Sequence, residues 1–136
     1  MPQLRTYKLF ISHAWDYKEE YYRLKVYLDN APNFKWSDYS VPFHDPINSD
    51  KTRELKKQIR EQIRQCSVFI VLAGMWVKYH KWIQFEIDIA KDYRKSILGI
   101  KPWGQQKTPL EIQEASDRIV GWNTSSIVEA IRILAK

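Results

Sequence analysis

Ser67 to Gly74, "SVFIVLAG", is the stretch whose reading decides the fold. It is apolar almost throughout, with no polar alternation that would leave one face to water. A strand of this kind belongs in the middle of a parallel sheet, covered on both faces by helices. Its flanks supply those helices. Upstream, Leu55, Ile59, Ile63 and Cys66 recur at helical spacing, while Arg53, Lys56, Lys57, Arg60 and Arg64 share the opposite face. Downstream, a helix is expected from about Lys78 to Tyr93.

The same alternation runs outward in both directions. "YKLFISHA" (Tyr7–Ala14) reads as a first strand, followed by a helix with Tyr17, Tyr21, Leu24 and Leu28 inward. "FKWSDYS" (Phe34–Ser40) is a shorter, weaker strand. "SILGIKP" (Ser96–Pro102) and "DRIVGW" (Asp117–Trp122) are two more, and a last helix turns Ile127, Ile131 and Leu134 inward. Helix starts are expected at Asp16 with Glu19, at Asp50, at Thr108 with Pro109 as first helical residue and Glu111, and at Ser126 with Glu129. Strands alternating with helices predict an α/β fold with a mostly parallel sheet. Five strands in 136 residues predict one flavodoxin-like, three-layer domain over 1–136, with neither repeat nor linker.

Composition bounds the function loosely. A net charge of +6 suits a phosphate-bearing ligand or nucleic acid, and equally a solvated basic surface. Six Trp and eight Tyr serve either a core or a pocket that stacks flat ligands. The single cysteine, Cys66, excludes an internal disulfide and a cysteine-rich zinc site. The chain opens with no signal peptide and has no apolar run of membrane-spanning length, so a cytoplasmic, membrane-free protein is expected.

Several chemistries are absent. Gly74, Gly99, Gly104 and Gly121 stand alone, so neither a Walker loop nor a dinucleotide fingerprint can be drawn. "LAGMW" after the third strand lacks the acid of a phosphoacceptor site. His13, His44 and His80 have no metal-ligand spacing, so no metal is expected.

One residue breaks the core pattern. In "KWIQFEIDIA" (Lys81–Ala90), at about 100° per residue, Trp82, Ile83, Phe85, Ile89 and Ala90 form one apolar arc. Glu86 lies inside it, where a carboxylate is expensive to bury. A helix-start position, a basic partner such as Lys101, or a ligand would each account for it.

Ligands of open α/β sheets bind beyond the carboxyl ends of the strands. The first end offers Ser12, His13, Ala14, Trp15 and Asp16. The second offers Asp38, Tyr39 and Ser40, leading into the long segment Asp38–Asp50. The third offers Gly74, Met75 and Trp76, leading into the helix of Glu86. Hydroxyls, a carboxylate and aromatic rings suit a flat, polar, ribose-containing ligand.

"FISHA" resembles the first box of TIR (Toll/interleukin-1 receptor) domains, and Trp82 with Glu86 resembles their Trp and Glu four residues apart after the third strand. "FKWSDYSVP" resembles the small bacterial TIR-like proteins of the Thoeris anti-phage defence system. The second TIR box, with its Arg-Asp and Pro-Gly, is missing, and "YSVPFHDPIN" occupies its place.

The resemblance implies a TIR-like enzyme with Glu86 as the catalytic residue. The strand ends and the long segment offer Ser12, His13, Ser40, Asp45 and Trp76, with Trp82 beside Glu86, as the residues lining the site. The resemblance implies NAD as substrate rather than bound cofactor, and cleavage of the nicotinamide–ribose bond. It further implies a cyclic ADP-ribose signal acting on a separate effector protein. A homo-oligomer is expected by the same analogy. The competing expectation is a non-catalytic TIR-like or flavodoxin-like module that assembles or binds nucleotide. Nucleic-acid binding through the basic helix ranks below both, because the opposite face of that helix is a core stripe.

Overall fold

The computed structural model describes residues 5–13, 18–41, 50–104 and 107–135, with no side-chain detail for 50–52. Five strands form one sheet: β1 (Thr6–Ser12), β2 (Lys35–Asp38), β3 (Val68–Leu72), β4 (Ser96–Ile100) and β5 (Arg118–Val120). Their order is β2-β1-β3-β4-β5, and every neighbouring pair is parallel. Among the described residues, five α-helices lie between and after them: α1 (Glu19–Asp29), α2 (Asp50–Gln65), α3 (Trp76–Asp92), α4 (Leu110–Ala115) and α5 (Thr124–Leu134). Helices α1 and α5 pack together, and α2 packs against α3. This is the flavodoxin-like architecture expected from the alternation.

The central strand behaves as its sequence demands. All five residues of β3 are buried, as are Leu9 to Ser12 of β1 and Ile97 to Ile100 of β4. Leu24 and Leu28 of α1, Ile59 and Ile63 of α2, and Ile127 and Ile131 of α5 are fully buried. Each such side chain contributes about 1.5–3 kcal/mol on leaving water. Phe10 and Phe69, neighbours on adjacent strands, stack with centroids 5.5 Å apart. Cys66 closes the α2 stripe and is buried, which pushes its thiol up to about 11.

The register fixes the functional edge. Ser12 pairs with Val71, so β1 and β3 end almost level. The chain leaves β1 toward β2 on one side and leaves β3 toward β4 on the other. The crevice between the ends of β1 and β3 is therefore the topological switch point.

Helix ends differ from expectation in several places. Asn123, not Ser126, caps α5, its side-chain oxygen accepting from the Ser126 N–H at 3.0 Å. Pro109 stands one residue outside α4 with extended backbone (φ −56°, ψ 141°), so Thr108 is no cap; its carbonyl accepts from the Gln113 side chain instead. Lys18 occupies the N-cap of α1, and Asp16 lies outside the described residues. Trp76 does not end β3: a 3-10 turn, Ala73–Met75, intervenes, and Trp76 opens α3. No helix among the described residues is long and apolar enough to cross a membrane.

Candidate active site

Alternation along β1 sends Ser12 and His13 to opposite faces of the sheet. Ser12 meets α3. Its hydroxyl donates to Glu86 Oε1 at 2.5 Å, and both residues are completely buried. Glu86 arrives from a helix that is not continuous. Backbone angles at Tyr79 (φ −122°, ψ 25°) break α3 after its first turn. The longer second part carries Glu86 inward between Trp82 and Ile83 on one turn and Ile89 and Ala90 on the next, all buried. Ile87 is buried with them, and Phe85, expected inside the arc, sits half-buried at its rim.

The second oxygen, Oε2, is buried with no hydrogen-bond partner among the described residues. Burial is the dominant influence and pushes the carboxyl up to about 8, against a smaller opposing pull from the Ser12 hydroxyl. Lys101, the basic partner the sequence suggested, is exposed just beyond β4. Glu86 at neutral pH is thus mostly a neutral acid, with one oxygen engaged by Ser12 and the other buried. A cation placed beside it would ionise it.

His13 turns toward α1. Its Nδ1–H donates to the Ile11 carbonyl at 2.9 Å, which fixes the tautomer and leaves Nε2 with the lone pair. The ring lies face to face on Tyr21, centroids 3.8 Å apart and planes within 7°. Burial lowers its pKa and so holds it neutral. The Tyr21 hydroxyl donates to Asp38 Oδ2, and Asp38 Oδ1 accepts from the Ser40 N–H at 2.9 Å. Ser40 Oγ accepts from the Ile11 N–H at 2.9 Å. His13 and Ser40 therefore meet through the main chain of one residue, Ile11, at the end of β1.

The two tryptophans expected at the site, Trp76 and Trp82, are both on α3. Trp76 tilts against His80 at 5.9 Å, and the two line an outer groove of about 460 Å³ with Lys81, Gln84, Phe85 and Asp88. Trp82 is buried with its ring edge-on to Phe85 at 5.8 Å, beside a smaller groove of about 210 Å³ bordered by Lys56 and Lys81. Asp45 lies outside the described residues.

A second buried carboxylate, Glu20, stands in the first turn of α1 and is only 5% exposed. Its Oε1 accepts from the Trp103 N–H at 3.3 Å, and its Oε2 is buried without a partner among the described residues. The sequence held the signal: Glu20, Leu24 and Leu28 recur every four residues along the core stripe, the pattern that singled out Glu86.

The family model of the Thoeris protein ThsB, TIR-like domain, matches residues 10–107. The chain belongs to that family. The matched span runs from β1 through α3 and β4, and so includes Ser12, His13, Glu20, Ser40 and Glu86. No curated protein matches this TIR-like chain. Among solved structures it is similar to the Clostridium botulinum CMP N-glycosidase BcmB, with a TM-score of 0.53 and 16% identity. That alignment covers 92% of this chain and 98% of the other. At that identity the likeness is one of fold.

Proposed function

We propose that this TIR-like domain cleaves an N-glycosidic bond of a nucleotide, with NAD as substrate and Glu86 as the catalytic carboxylate. The observation that carries the reading is Glu86 itself: fully buried, oriented by Ser12, and left with one unpartnered oxygen at the switch point of the sheet. A scaffold gains nothing from that arrangement, whereas a site that must meet a developing cation does. Membership of the Thoeris TIR-like family and a fold shared with a CMP N-glycosidase support the same class of chemistry.

The steps follow from charge. The nicotinamide–ribose bond breaks with its electron pair going to the ring nitrogen, so the pyridinium leaves neutral and needs no acid. The ribosyl group is left as an oxocarbenium-like cation. The Glu86 carboxylate, ionised by the arriving pyridinium, stabilises that cation in a low-dielectric site. A water or an internal hydroxyl then forms the new bond to the anomeric carbon and releases its proton. With water the product is ADP-ribose. With an internal acceptor it is a cyclic isomer, the product this reading favours as an anti-phage signal for a separate effector.

The test is incubation of the protein with NAD beside Glu86→Gln, followed by chromatography with mass detection, and with CMP as a parallel substrate. Nicotinamide from the parent and none from the variant is the expected result. Cytosine from CMP with NAD untouched would move the substrate to a nucleoside monophosphate. Release of neither base, with or without extract of phage-infected cells, would turn the domain into a binding module.

A further inference from the structure

Glu20 has no part in the chemistry above, yet it shows the same anomaly as Glu86. It reaches the carboxyl edge from the opposite face of the sheet. Its carboxyl group lies between the 3-10 turn that follows β3 and the segment that follows β4. At the first boundary Gly74 makes room for it: a Cβ there would stand 2.6 Å from Glu20 Oε1. At the second, the Trp103 N–H holds that same oxygen. Oε1 is thereby fixed, and Oε2 is left buried and, among the described residues, unpartnered. Gly74 lies three residues beyond Val71, the register partner of Ser12, so both carboxyls border the ends of the central strands. Burial raises the Glu20 pKa on balance, against smaller opposing pulls from the Trp103 N–H and from the Arg23 guanidinium, which stacks 3.8 Å from the Trp103 ring centroid.

We propose that Glu20 is a second ligand-holding carboxylate of the site, its Oε2 accepting a hydrogen bond from an uncharged donor of the bound nucleotide, a sugar hydroxyl or the amide of the base. The inference rests on the nucleotide reading of the site, but not on turnover.

Glutamine at this position gives a sharp test. In Glu20→Gln the Trp103 N–H claims the one carbonyl oxygen, and an NH2 group then faces the ligand donor. Two donors meet, in a side chain of unchanged shape. Binding is measured by calorimetry in the Glu86→Gln background, so that no turnover intrudes. The probes are NAD, its 3-acetylpyridine analogue, which lacks the amide donor, and a 2′-deoxyribosyl analogue, which lacks a hydroxyl donor. Glu20→Gln is expected to weaken NAD about tenfold. That penalty should vanish with the analogue whose missing donor is the one Glu20 holds. Thermal stability should be unchanged or raised, because a buried carboxyl is removed. Gly74→Ala, which displaces Glu20, should weaken NAD as well.

Unchanged affinity in Glu20→Gln overturns the inference. An equal penalty on all three probes, or a penalty that comes with a fall in thermal stability, marks a structural carboxyl and also overturns it. The two readings fail separately. NAD held through Glu20 but never cleaved by the parent keeps this inference and loses the catalytic one. NAD cleaved by Glu20→Gln with KM unchanged does the reverse. A chain that binds none of the probes loses both.

Discussion

Ser12 and Glu86 are 74 positions apart in sequence and meet at 2.5 Å, hydroxyl to carboxyl, with both side chains completely buried. The hydroxyl reaches only one of the two oxygens. The pair thus fixes the orientation of the carboxyl without satisfying it, which is the state expected of a group that waits for a ligand.

Glu86→Gln should remove nicotinamide release by at least about 10³-fold while making the protein more stable. The folded-state pKa, about 8, lies above the ordinary value of 4.5. The contribution of Glu86 to stability is therefore intact below pH 4.5 and is lost as pH rises toward 8. At pH 8 the glutamine variant should be more stable on the order of 2–4 kcal/mol, and at pH 5 the gap should close to under about 1 kcal/mol. Urea unfolding of both proteins at the two pH values checks this. A gap independent of pH would contradict the raised pKa.

Binding of NAD should expel a proton. The pyridinium favours the ionised form of a carboxyl that is mostly neutral below pH 8. Calorimetry at pH 7 in buffers of different ionisation enthalpy should report the release of close to one proton, and none in Glu86→Gln. The kcat/KM for NAD should rise with pH and level off above about 8. A flat profile between pH 6 and 9 would remove Glu86 from the rate law.

Ser12→Ala removes the one interaction that pulls the Glu86 pKa down. The rising limb of the pH profile should move to higher pH, and nicotinamide release at pH 7 should fall about 10- to 100-fold. Raising the pH should restore part of the loss. A loss with no shift of the profile would mean that Ser12 serves the substrate directly.

The sequence carried the fold because the sheet is central and its strands are buried on both faces. An unbroken apolar run such as Val68–Leu72 has few other places to go. Glu86 was legible for a related reason: a lone carboxylate inside a helical apolar arc is conspicuous. Its partner was not. Ser12 and Glu86 are joined only by strand register and by the break at Tyr79, and neither is a property of a local window. Helix starts are ambiguous in sequence where two cap-like residues compete within one turn, as Asn123 and Ser126 do. Glu20 went unread because the tyrosines beside it, Tyr17 and Tyr21, gave α1 an apolar stripe without it.

The His13 ring is oriented by Tyr21, and the two can be separated by mutation. Tyr21→Phe loses the hydroxyl bond to Asp38 but keeps the face-to-face stack. It should cost about 1 kcal/mol of stability and change nicotinamide release less than about threefold. Tyr21→Ala removes the stack and opens the His13 ring to water. Burial is the main cause of the lowered His13 pKa, so in this variant it should climb back toward 6.5. The sign for stability follows: parent His13 stays neutral where the unfolded chain protonates, so stability is lost as pH falls below 6.5, and the alanine variant should lose less over that range. Titration of the imidazole by NMR in the three proteins checks the order. A His13 pKa unchanged in Tyr21→Ala would show that the ring is buried by something other than Tyr21.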